Sequence, residues 1–347
     1  MKAVTFVEVG RVDVRDVDKP TIQEPTDVLL KVTTTAICGS DLHILEGRTP
    51  GFFDGSIIGH EFVGVIEDAG PEVKKFKPGQ RALASFLVPC GDCWYCARGL
   101  GGQCQDAVLF GGGLFAGNLA GGQAEYVRVP NADVGLHALD DSMPDEQALF
   151  AGDILSTGVQ VVLNANIKEG DSVAVIGCGP VGLFAIQAAR AFKPSAVYGV
   201  DSVEQRLEMA QGFGAIPVSL TRQNATVALQ EATDDRGVDV VLECVGNTKA
   251  LVPAFDMVRP GGTISVIGLH TETEATIPLQ LVFLKAIDLK FGGFANPVGQ
   301  WDRALKMVED GTIDPTAIIS HRMKLEDAVK GYELFQAREA MKVVLTP

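Results

Sequence analysis

Residues 172–201 constrain the fold of this chain more than any other stretch. A short apolar run at residues 173–176 has the composition of a buried strand, and the pattern Gly-Cys-Gly-Pro-Val-Gly follows it at residues 177–182. An Ala- and Leu-rich stretch that suits a helix comes next, at residues 183–192, and a second apolar run ends in Asp201. Strand, glycine turn, helix and second strand in this order predict a dinucleotide-binding unit on a parallel sheet.

The three glycines of this pattern each have a physical reason. Gly177 lets the chain turn sharply out of the strand, Gly179 lets a pyrophosphate approach the backbone, and Gly182 lets helix and strand pack closely. The helix that follows presents free N–H groups and a positive dipole end to the phosphates. Asp201 can accept both hydroxyls of an adenine ribose and would repel a 2′-phosphate, so the sequence favours NAD over NADP. The alternative is a glycine-rich turn with Asp201 as a loop residue or a helix N-cap.

Strands and helices continue to alternate after Asp201. The later apolar runs with the composition of strands are residues 215–218, 238–243, 263–267 and 289–291. This alternation predicts an α/β fold with a doubly wound parallel sheet. Residues 1–35 instead alternate as short strands and turns, which predicts a β-rich unit at the start of the chain.

Length, composition and charge limit the classes of protein to which the chain can belong. Its 347 residues are enough for about two domains, and 46% hydrophobic residues suit a sizeable core. A net charge of −15 argues against nucleic-acid or anionic-membrane partners. No run of about 18 uncharged apolar residues appears, which argues against a membrane-spanning helix. Residues 3–7 look like a strand and not like a signal peptide, so we expect a cytoplasmic location.

Four of the seven cysteines lie within residues 90–104. Their spacing is C-x2-C-x2-C-x7-C, formed by Cys90, Cys93, Cys96 and Cys104. Four thiolates complete a tetrahedral zinc shell and leave no open position, so we expect a structural zinc that holds a lobe with little apolar side chain. An iron–sulfur cluster is the competing interpretation, because closely spaced cysteines also bind one.

Three residues elsewhere could supply a second metal site. Cys38 and His60 are each able to ligate zinc, although either one alone more commonly is a buried cysteine or a loop histidine. Asp153 lies in an otherwise apolar stretch for which we predict a helix capped by Ser142. A carboxylate buried there needs a partner, and a metal ion would serve.

With these motifs the chain resembles the zinc-dependent medium-chain alcohol dehydrogenases over nearly its whole length. The resemblance rests on Cys38-Gly-Ser-Asp, Gly59-His60-Glu61, the four-cysteine lobe, Asp153 before Ser-Thr-Gly, and the glycine pattern at residues 177–182. It implies a GroES-like β-barrel catalytic domain (1–155 and 297–347) that is interrupted by a Rossmann domain (156–296).

The resemblance also implies roles for residues around a catalytic zinc. Cys38, His60 and Asp153 match the three ligands, and many relatives have cysteine at the position of Asp153. Glu61 matches a residue that either ligates the zinc transiently or stays beside it as a charge. Ser40 and His43 match a proton relay, with His43 as a plain surface residue being the alternative.

Further matches concern the nicotinamide cofactor. Thr157 and Val181 match positions against the nicotinamide ring, and Pro180 belongs to the phosphate-binding turn. Arg206 matches a basic residue near the adenosine ribose, and Lys342 matches one that meets the pyrophosphate. Each of these side chains could equally be structural or a solvated charge.

The function implied is reversible hydride transfer between an alcohol, secondary alcohols included, and NAD, with two zinc ions per chain. Polyol, threonine or formaldehyde-type oxidation within the family is the near alternative. A zinc-free quinone or enoyl reductase fits less well, because such relatives lack the ligand cysteines. A non-catalytic NAD-binding protein on this fold is the alternative from another class. The family forms homodimers and homotetramers, and the expected partner is a small alcohol or carbonyl compound, for which Phe110, Leu114 and Phe115 are candidate pocket walls.

Overall fold

The computed structural model describes residues 1–347 and divides the chain into two compact units. The first unit consists of Met1–Ser156, Asn296–Val308 and Asp314–Pro347. The second unit consists of Thr157–Ala295 and Glu309–Ile313. The chain thus forms most of the first unit, then the second, and returns to the first near residue 296.

The elements up to residue 153 are mainly short strands, as the sequence predicts. The strands are β1 (Lys2–Glu8), β2 (Arg11–Asp16), β3 (Val28–Ile37), β4 (Glu61–Ala69), β5 (Arg81–Ala84), β6 (Leu87–Val88), β7 (Val108–Leu109), β8 (Tyr126–Val129) and β9 (Leu136–Ala138). The α-helices are α1 (Gly39–Leu45), α2 (Ala132–Gly135) and α3 (Asp145–Ala148). Short 3-10 helices are Cys96–Arg98, Gly101–Gln103, Leu114–Ala116 and Leu149–Gly152.

Helices and strands alternate from residue 154 onward. The helices are α4 (Ile154–Ala165), α5 (Pro180–Arg190), α6 (Glu204–Gly212), α7 (Ala225–Glu231), α8 (Thr248–Met257) and α9 (Leu279–Lys285). The strands are β10 (Ser172–Ile176), β11 (Ala196–Asp201), β12 (Ile216–Ser219), β13 (Val238–Glu243), β14 (Val258–Val266) and β15 (Asp288–Phe291). The C-terminal elements are α10 (Trp301–Glu309), β16 (His321–Lys324), α11 (Ala328–Gln336) and β17 (Val343–Thr346), with 3-10 helices at Pro297–Gly299, Pro315–Ile318 and Leu325–Asp327.

A seven-stranded sheet organises the first unit. Its order is β16-β17-β3-β4-β5-β9, and β8 pairs with the other half of β3. The antiparallel register of β3 and β4 runs from Val28 opposite Ala69 to Ala36 opposite Glu61. The end of β3 therefore lies beside the start of β4, and this register brings the segments that follow Ile37 and precede Glu61 together.

A six-stranded parallel sheet organises the second unit, in the order β12-β11-β10-β13-β14-β15. Every residue of the central strands β10 and β13 is buried, as expected for a parallel sheet that is covered on both faces. The strand order reverses between β10 and β13, so the carboxyl ends of these two strands form the switch point where such sheets bind ligands. The predicted fold class is confirmed.

The predicted helix around residue 153 differs from the structure. Ser142 does not cap it, because Oδ1 of Asp140 accepts hydrogen bonds from both the N–H (2.8 Å) and the hydroxyl (2.6 Å) of Ser142 in a local turn. Pro144 occupies the N-cap of α3 instead. Asp153 then interrupts the helical path with φ −151° and ψ −93°, between the 3-10 helix and α4.

Two further differences lie in the second unit. The predicted turn at residues 260–262 lies inside β14, where the register against β13 shifts between Val238 and Val240. This irregularity accommodates Gly261, which has φ +66°. The sequence does not predict α9, a helix of seven residues in which Leu281 and Val282 pack against the core while Leu279, Phe283 and Leu284 are exposed, so apolar residues lie on both faces and give no amphipathic pattern.

No single helix of the chain is long and apolar enough to cross a membrane. The segments Asp145–Gly152 and Ile154–Ala165 reach that length and composition together, but they are bent by 53° at Asp153.

Candidate active site

Four side chains with metal-binding atoms come together in the first unit. They belong to Cys38, His60, Glu61 and Asp153, and one ligand atom from each lies within 4.8 Å of all the others. Oδ2 of Asp153 is 3.2 Å from Nε2 of His60 and 3.6 Å from Sγ of Cys38. The three predicted catalytic ligands are thus close enough to share one ion.

The backbone explains this convergence. Cys38 directly follows β3 and is the N-cap of α1, while His60 directly precedes β4. The sheet register places these two positions side by side. Gly59, with φ +91°, makes the turn before His60 in a conformation that favours glycine. Asp153 reaches the same place from the break before α4.

The donor set fits a zinc ion. Thiolate, imidazole and carboxylate are all zinc ligands, and three of them leave a fourth position open. Burial raises the pKa of the Cys38 thiol, and the charges of Glu61 and Asp153 raise it further. Burial likewise raises the pKa of Glu61 to about 7, against the effect of Lys342. Ionised acids crowded in a dry pocket repel each other, and a divalent cation among them would offset that repulsion.

The lobe cysteines form a second cluster in the first unit. The distances between their Sγ atoms are 3.5 Å for Cys93 and Cys96, 3.5 Å for Cys90 and Cys104, 3.8 Å for Cys93 and Cys104, and 3.9 Å for Cys90 and Cys96. Four sulfurs around one zinc, each about 2.3 Å from it, lie about 3.8 Å apart. The cage therefore suits a single ion, and it is too small for the several iron atoms of a cluster.

The glycine turn of the second unit has the predicted form. Gly177 ends β10 with φ +91°, and Gly179 is the N-cap of α5, with Pro180 as the first helical residue. A Cβ on Gly182 would lie 1.8 Å from the carbonyl oxygen of Gly177, so only glycine fits there. A Cβ on Gly179 would meet only Arg206, at 3.8 Å, which leaves this backbone open to a ligand.

Asp201 lies next to the same turn and is bonded to its backbone. Its carboxylate accepts hydrogen bonds from the N–H groups of Cys178 (2.8 Å), Ser202 (2.7 Å) and Val203 (2.9 Å). Nη1 of Arg206 lies 3.9 Å from Oδ2 of Asp201. The aspartate is therefore fixed at the carboxyl end of β11, beside the glycine turn, with the predicted basic residue next to it.

Comparison with known proteins agrees with both units. Residues 24–141 match the family model "Alcohol dehydrogenase GroES-like domain", and residues 180–310 match "Zinc-binding dehydrogenase". An alcohol dehydrogenase of Cupriavidus necator is 35% identical, covering 100% of this chain and 99% of the relative. The chain belongs to the zinc-type alcohol dehydrogenases of the medium-chain dehydrogenase/reductase family.

Solved structures of this dehydrogenase family superimpose on the whole chain. Alcohol dehydrogenase TADH from Thermus sp. ATN1 is 40% identical with a TM-score of 0.95, covering 100% of this chain and 99% of the other. A putative zinc-binding dehydrogenase from Sinorhizobium meliloti 1021, bound to NADP, is 29% identical with a TM-score of 0.87, over 100% and 99% of the two chains. The predicted family is confirmed, and with it an oxidoreductase that has zinc-binding and nicotinamide-cofactor domains.

The two residues that match the dehydrogenase relay lie on α1. Oγ of Ser40 is 3.2 Å from Nε2 of His60, so its hydroxyl is beside the metal-binding group. His43 follows three residues later on the same helix face, half-buried, and burial lowers the pKa of its imidazole. The structure thus brings Ser40 to the site, and the relay role of both residues stays a prediction.

Lys342, for which contact with the pyrophosphate stays a prediction, has a buried carboxylate as its ion-pair partner. Its Nζ lies 2.6 Å from Oε2 of Glu61, and the side chain is only 1% exposed. The reason is that β17 pairs with β3, whose other neighbour β4 begins with Glu61, so Lys342 arrives inside the first unit next to the metal-binding group. The structure gives the ammonium group a buried carboxylate as its partner and does not present it to solvent.

The candidates for the nicotinamide and substrate contacts are placed as follows. Thr157 lies on α4, and the adjacent Gly158 packs on the carbonyl of Val181 at the first turn of α5. Leu114 and Phe115 are exposed. The prediction that Phe110 walls a substrate pocket was wrong, because its side chain is buried in the core of the first unit. Its ring is edge-on to that of Phe62, with 4.8 Å between the ring centroids.

Asp41, the last residue of the Cys38-Gly-Ser-Asp motif, is a site residue for which the sequence predicts no role. It is fully buried, and its Oδ1 lies 3.4 Å from Nδ1 of His60. An acidic residue three positions after a ligand cysteine is the only local signal for it. A carboxylate at Nδ1 orients the imidazole, so that Nε2 faces the ligand group.

Proposed function

We propose that this chain is an NAD-dependent zinc alcohol dehydrogenase that interconverts alcohols, secondary alcohols included, with ketones or aldehydes. The observation that carries the proposal is the convergence of Cys38, His60 and Asp153 within reach of one ion, in a chain whose second unit has Asp201 beside its glycine turn. A metal-dependent assay with NAD and panels of primary alcohols, secondary alcohols and polyols tests it. Reduction of NAD by none of them would contradict it.

In this proposal Cys38, His60 and Asp153 hold the catalytic zinc, and Glu61 is a further donor within reach. Bound zinc supplies Lewis-acid polarisation of the substrate oxygen. Ser40, whose Oγ lies 3.2 Å from Nε2 of His60, would accept the proton of the substrate hydroxyl while it passes its own hydroxyl proton on. His43, one helical turn further along α1, would receive the relayed proton by way of the cofactor ribose as an imidazole base, whose pKa burial lowers.

The lobe cysteines hold a second, structural zinc in the same proposal, which gives two zinc ions per chain. The cage of four sulfurs supports it, since all its ligand positions are filled by protein. We also propose that the catalytic domain comprises residues 1–155 and 297–347, the nucleotide-binding domain residues 156–296, and that the protein is cytoplasmic.

Two alternatives remain distinguishable by experiment. A polyol, threonine or formaldehyde-type dehydrogenase would show its preference in the substrate panel. A non-catalytic NAD-binding protein on this fold would bind about one zinc per chain, in the lobe, and would reduce no NAD. The intact donor set of Cys38, His60 and Asp153 favours the enzyme.

Cofactor preference gives one prediction. Asp201→Asn removes the charge that would meet a 2′-phosphate but keeps one oxygen, which can still accept from the N–H groups of Ser202 and Val203, both bonded to Oδ1. We expect the ratio of kcat/KM for NADP to that for NAD to rise about tenfold or more, because one close like-charge contact is worth about 1.4 kcal/mol or more in a partly buried site. Arg206, 3.9 Å from the carboxylate, would then face the phosphate without its partner.

Steady-state kinetics with both cofactors measures this ratio. Glu208→Gln, on the exposed side of α6, is the matched control because it changes the net charge by the same amount nearby. An unchanged ratio in Asp201→Asn, or an equal rise in the control, would show that other groups set the preference.

We also propose that the chain is a homodimer or homotetramer. β15 is an outer strand of the six-stranded sheet, and α9 exposes apolar side chains next to it in the sequence. Leu279, Phe283 and Leu284 are 70%, 83% and 70% exposed, and Phe291 on β15 is 56% exposed. A large apolar patch beside an open sheet edge is suited to pairing with a second copy.

Phe283→Glu is expected to dissociate this assembly, because it places a charge in the apolar patch. Light scattering during size-exclusion chromatography measures the molar mass. Val9→Glu is the control, since Val9 is 64% exposed in the other unit. The proposed interface is wrong if the wild-type protein is a monomer or if Phe283→Glu keeps the wild-type mass.

A further inference from the structure

The Asp41 carboxylate next to His60 is held by donors from three parts of the chain that are far from one another in the sequence. Its Oδ2 lies 3.0 Å from the backbone nitrogen of Cys38, 3.1 Å from Nε2 of Gln123 and 3.2 Å from the hydroxyl of Tyr332. Asp41, Gln123 and Tyr332 are all buried, so water does not compete for these contacts. Oδ1 of Asp41 is left facing Nδ1 of His60 at 3.4 Å.

The neighbours of Gln123 fix the orientation of its amide group. Nε2 donates to Oδ2 of Asp41 (3.1 Å) and to the carbonyl of Ala36 (3.0 Å). The flipped amide would place its oxygen against both of these acceptors, where no proton is available. Oε1 of Gln123 must therefore face the hydroxyl of Tyr332, at 2.8 Å.

Tyr332 supplies the one proton that this arrangement needs. Burial raises the pKa of Tyr332 well above its ordinary value, with the charge of Asp41 as a further cause, so the hydroxyl keeps its proton. That proton lies between Oε1 of Gln123 at 2.8 Å and Oδ2 of Asp41 at 3.2 Å. Replacing the hydroxyl by hydrogen would leave a buried amide oxygen without a donor, and the carboxylate with one contact fewer.

The fixed position of the Asp41 carboxylate affects the metal-binding group through His60. Oδ2 of Asp41 is held by two N–H donors and by the hydroxyl proton that Tyr332 shares between Asp41 and Gln123, so the carboxylate cannot rotate away from Nδ1 of His60 without breaking these contacts. An acceptor at Nδ1 keeps the proton of the neutral imidazole on that nitrogen, which leaves the lone pair of Nε2 for a metal ion. The orientation of the ligand histidine thus depends on a residue of α11, far along the chain.

We propose that Tyr332 and Gln123 are positioning residues of the catalytic metal site, acting on His60 through Asp41. This inference rests on the proposed zinc at Cys38, His60 and Asp153. It gives α11, which belongs to the C-terminal part of the first unit, a role in metal retention in addition to its packing.

The test is the rate at which a chromogenic chelator removes zinc from the zinc-loaded, full-length chain. In Tyr332→Phe the zinc proposed at Cys38, His60 and Asp153 is expected to leave about tenfold faster than in the wild type, since outer partners of metal ligands typically change metal affinity by about 10–100-fold. Zinc in the four-cysteine lobe is unaffected in this variant and serves as an internal reference. Tyr198→Phe, which removes a buried tyrosine hydroxyl from β11 of the other unit, is the matched control.

A double variant separates positioning from plain stability. Tyr332→Phe with Gln123→Met removes the hydroxyl and the whole amide group together, so no buried amide oxygen is left without a donor, although the carbonyl of Ala36 and Oδ2 of Asp41 each lose the contact with Nε2. We expect its melting temperature to be no lower than that of Tyr332→Phe while zinc release stays fast, because the unpaired amide oxygen is gone but Oδ2 of Asp41 keeps only the contact from the backbone nitrogen of Cys38. If Tyr332→Phe alone does not fold, this double variant carries the same test.

The outcomes are distinct. A wild-type chain that holds about one zinc contradicts the proposed function itself. A wild-type chain with two zinc ions, together with wild-type release from Tyr332→Phe, contradicts the positioning role alone. Recovery of both stability and zinc retention in the double variant also contradicts it, since the effect of Tyr332 would then be only structural.

Discussion

Asp153→Ala is expected to reduce alcohol oxidation by more than about 1000-fold, because a bound metal supplies several kcal/mol of transition-state stabilisation. Asp153 is the third donor of the proposed zinc set, 3.2 Å from Nε2 of His60 and 3.6 Å from Sγ of Cys38. Without it, one thiol and one imidazole remain as core ligands, and zinc content should fall from about two to about one per chain. NAD affinity should change little, because Gly177–Gly182 and Asp201 belong to the other unit.

Three measurements check this prediction: initial rates of NAD reduction, zinc content by mass spectrometry, and NADH affinity by fluorescence. Asp153→Cys is the matched control, because many family members have cysteine at this position, and we expect it to retain zinc and part of the activity. Activity above about a tenth of the wild-type value in Asp153→Ala would remove Asp153 from the ligand set. A parallel loss of NADH affinity would point to misfolding.

Cys93→Ser is expected to lower the melting temperature by about 10 °C. Loss of a structural zinc removes several kcal/mol of folding free energy, and each kcal/mol shifts the midpoint by about 2–4 °C in a chain of this kind. The sulfur of Cys93 lies 3.5 Å from that of Cys96 and 3.8 Å from that of Cys104, so it is one of the four ligand atoms of the cage. The lobe has few other sources of stability, since Trp94 and Leu100 are exposed.

Scanning calorimetry with and without a chelator checks this effect. Cys244→Ala, a cysteine outside the lobe, is the control and should melt near the wild-type temperature. The residual folded enzyme should keep its kcat within a few fold, because the catalytic donors are untouched. An unaltered melting curve for Cys93→Ser would argue against a structural metal in the lobe.

Motifs whose residues all lie within a short, continuous stretch of chain could be predicted from the sequence. The glycine turn needs only β10, Gly177, Gly179, Gly182 and the start of α5, and the structure forms it with Gly177 at φ +91°. The four-cysteine spacing likewise fixes its own geometry within 15 residues, so a tetrahedral cage follows from local chain reach.

The convergence of Cys38, His60 and Asp153 was predicted by family resemblance and not by spacing. These residues lie in different parts of the sequence, and Cys38 and Asp153 are 115 residues apart. The register of β3 against β4 and the break before α4 bring them together. No local pattern encodes that register, because pairing depends on which side chains the whole sheet can bury.

The sequence by itself determined the parallel sheet of the second unit, the glycine turn, the metal-binding spacing of the lobe and the family. Only the tertiary structure decided that Lys342 pairs with Glu61, that Phe110 is buried in the core, and that Tyr332 meets Asp41. The physical reason is separation along the chain: Tyr332 is 291 residues from Asp41 and 209 from Gln123. A buried polar side chain forms hydrogen bonds with the groups that tertiary packing places next to it. The residues adjacent to it in the sequence do not identify those groups.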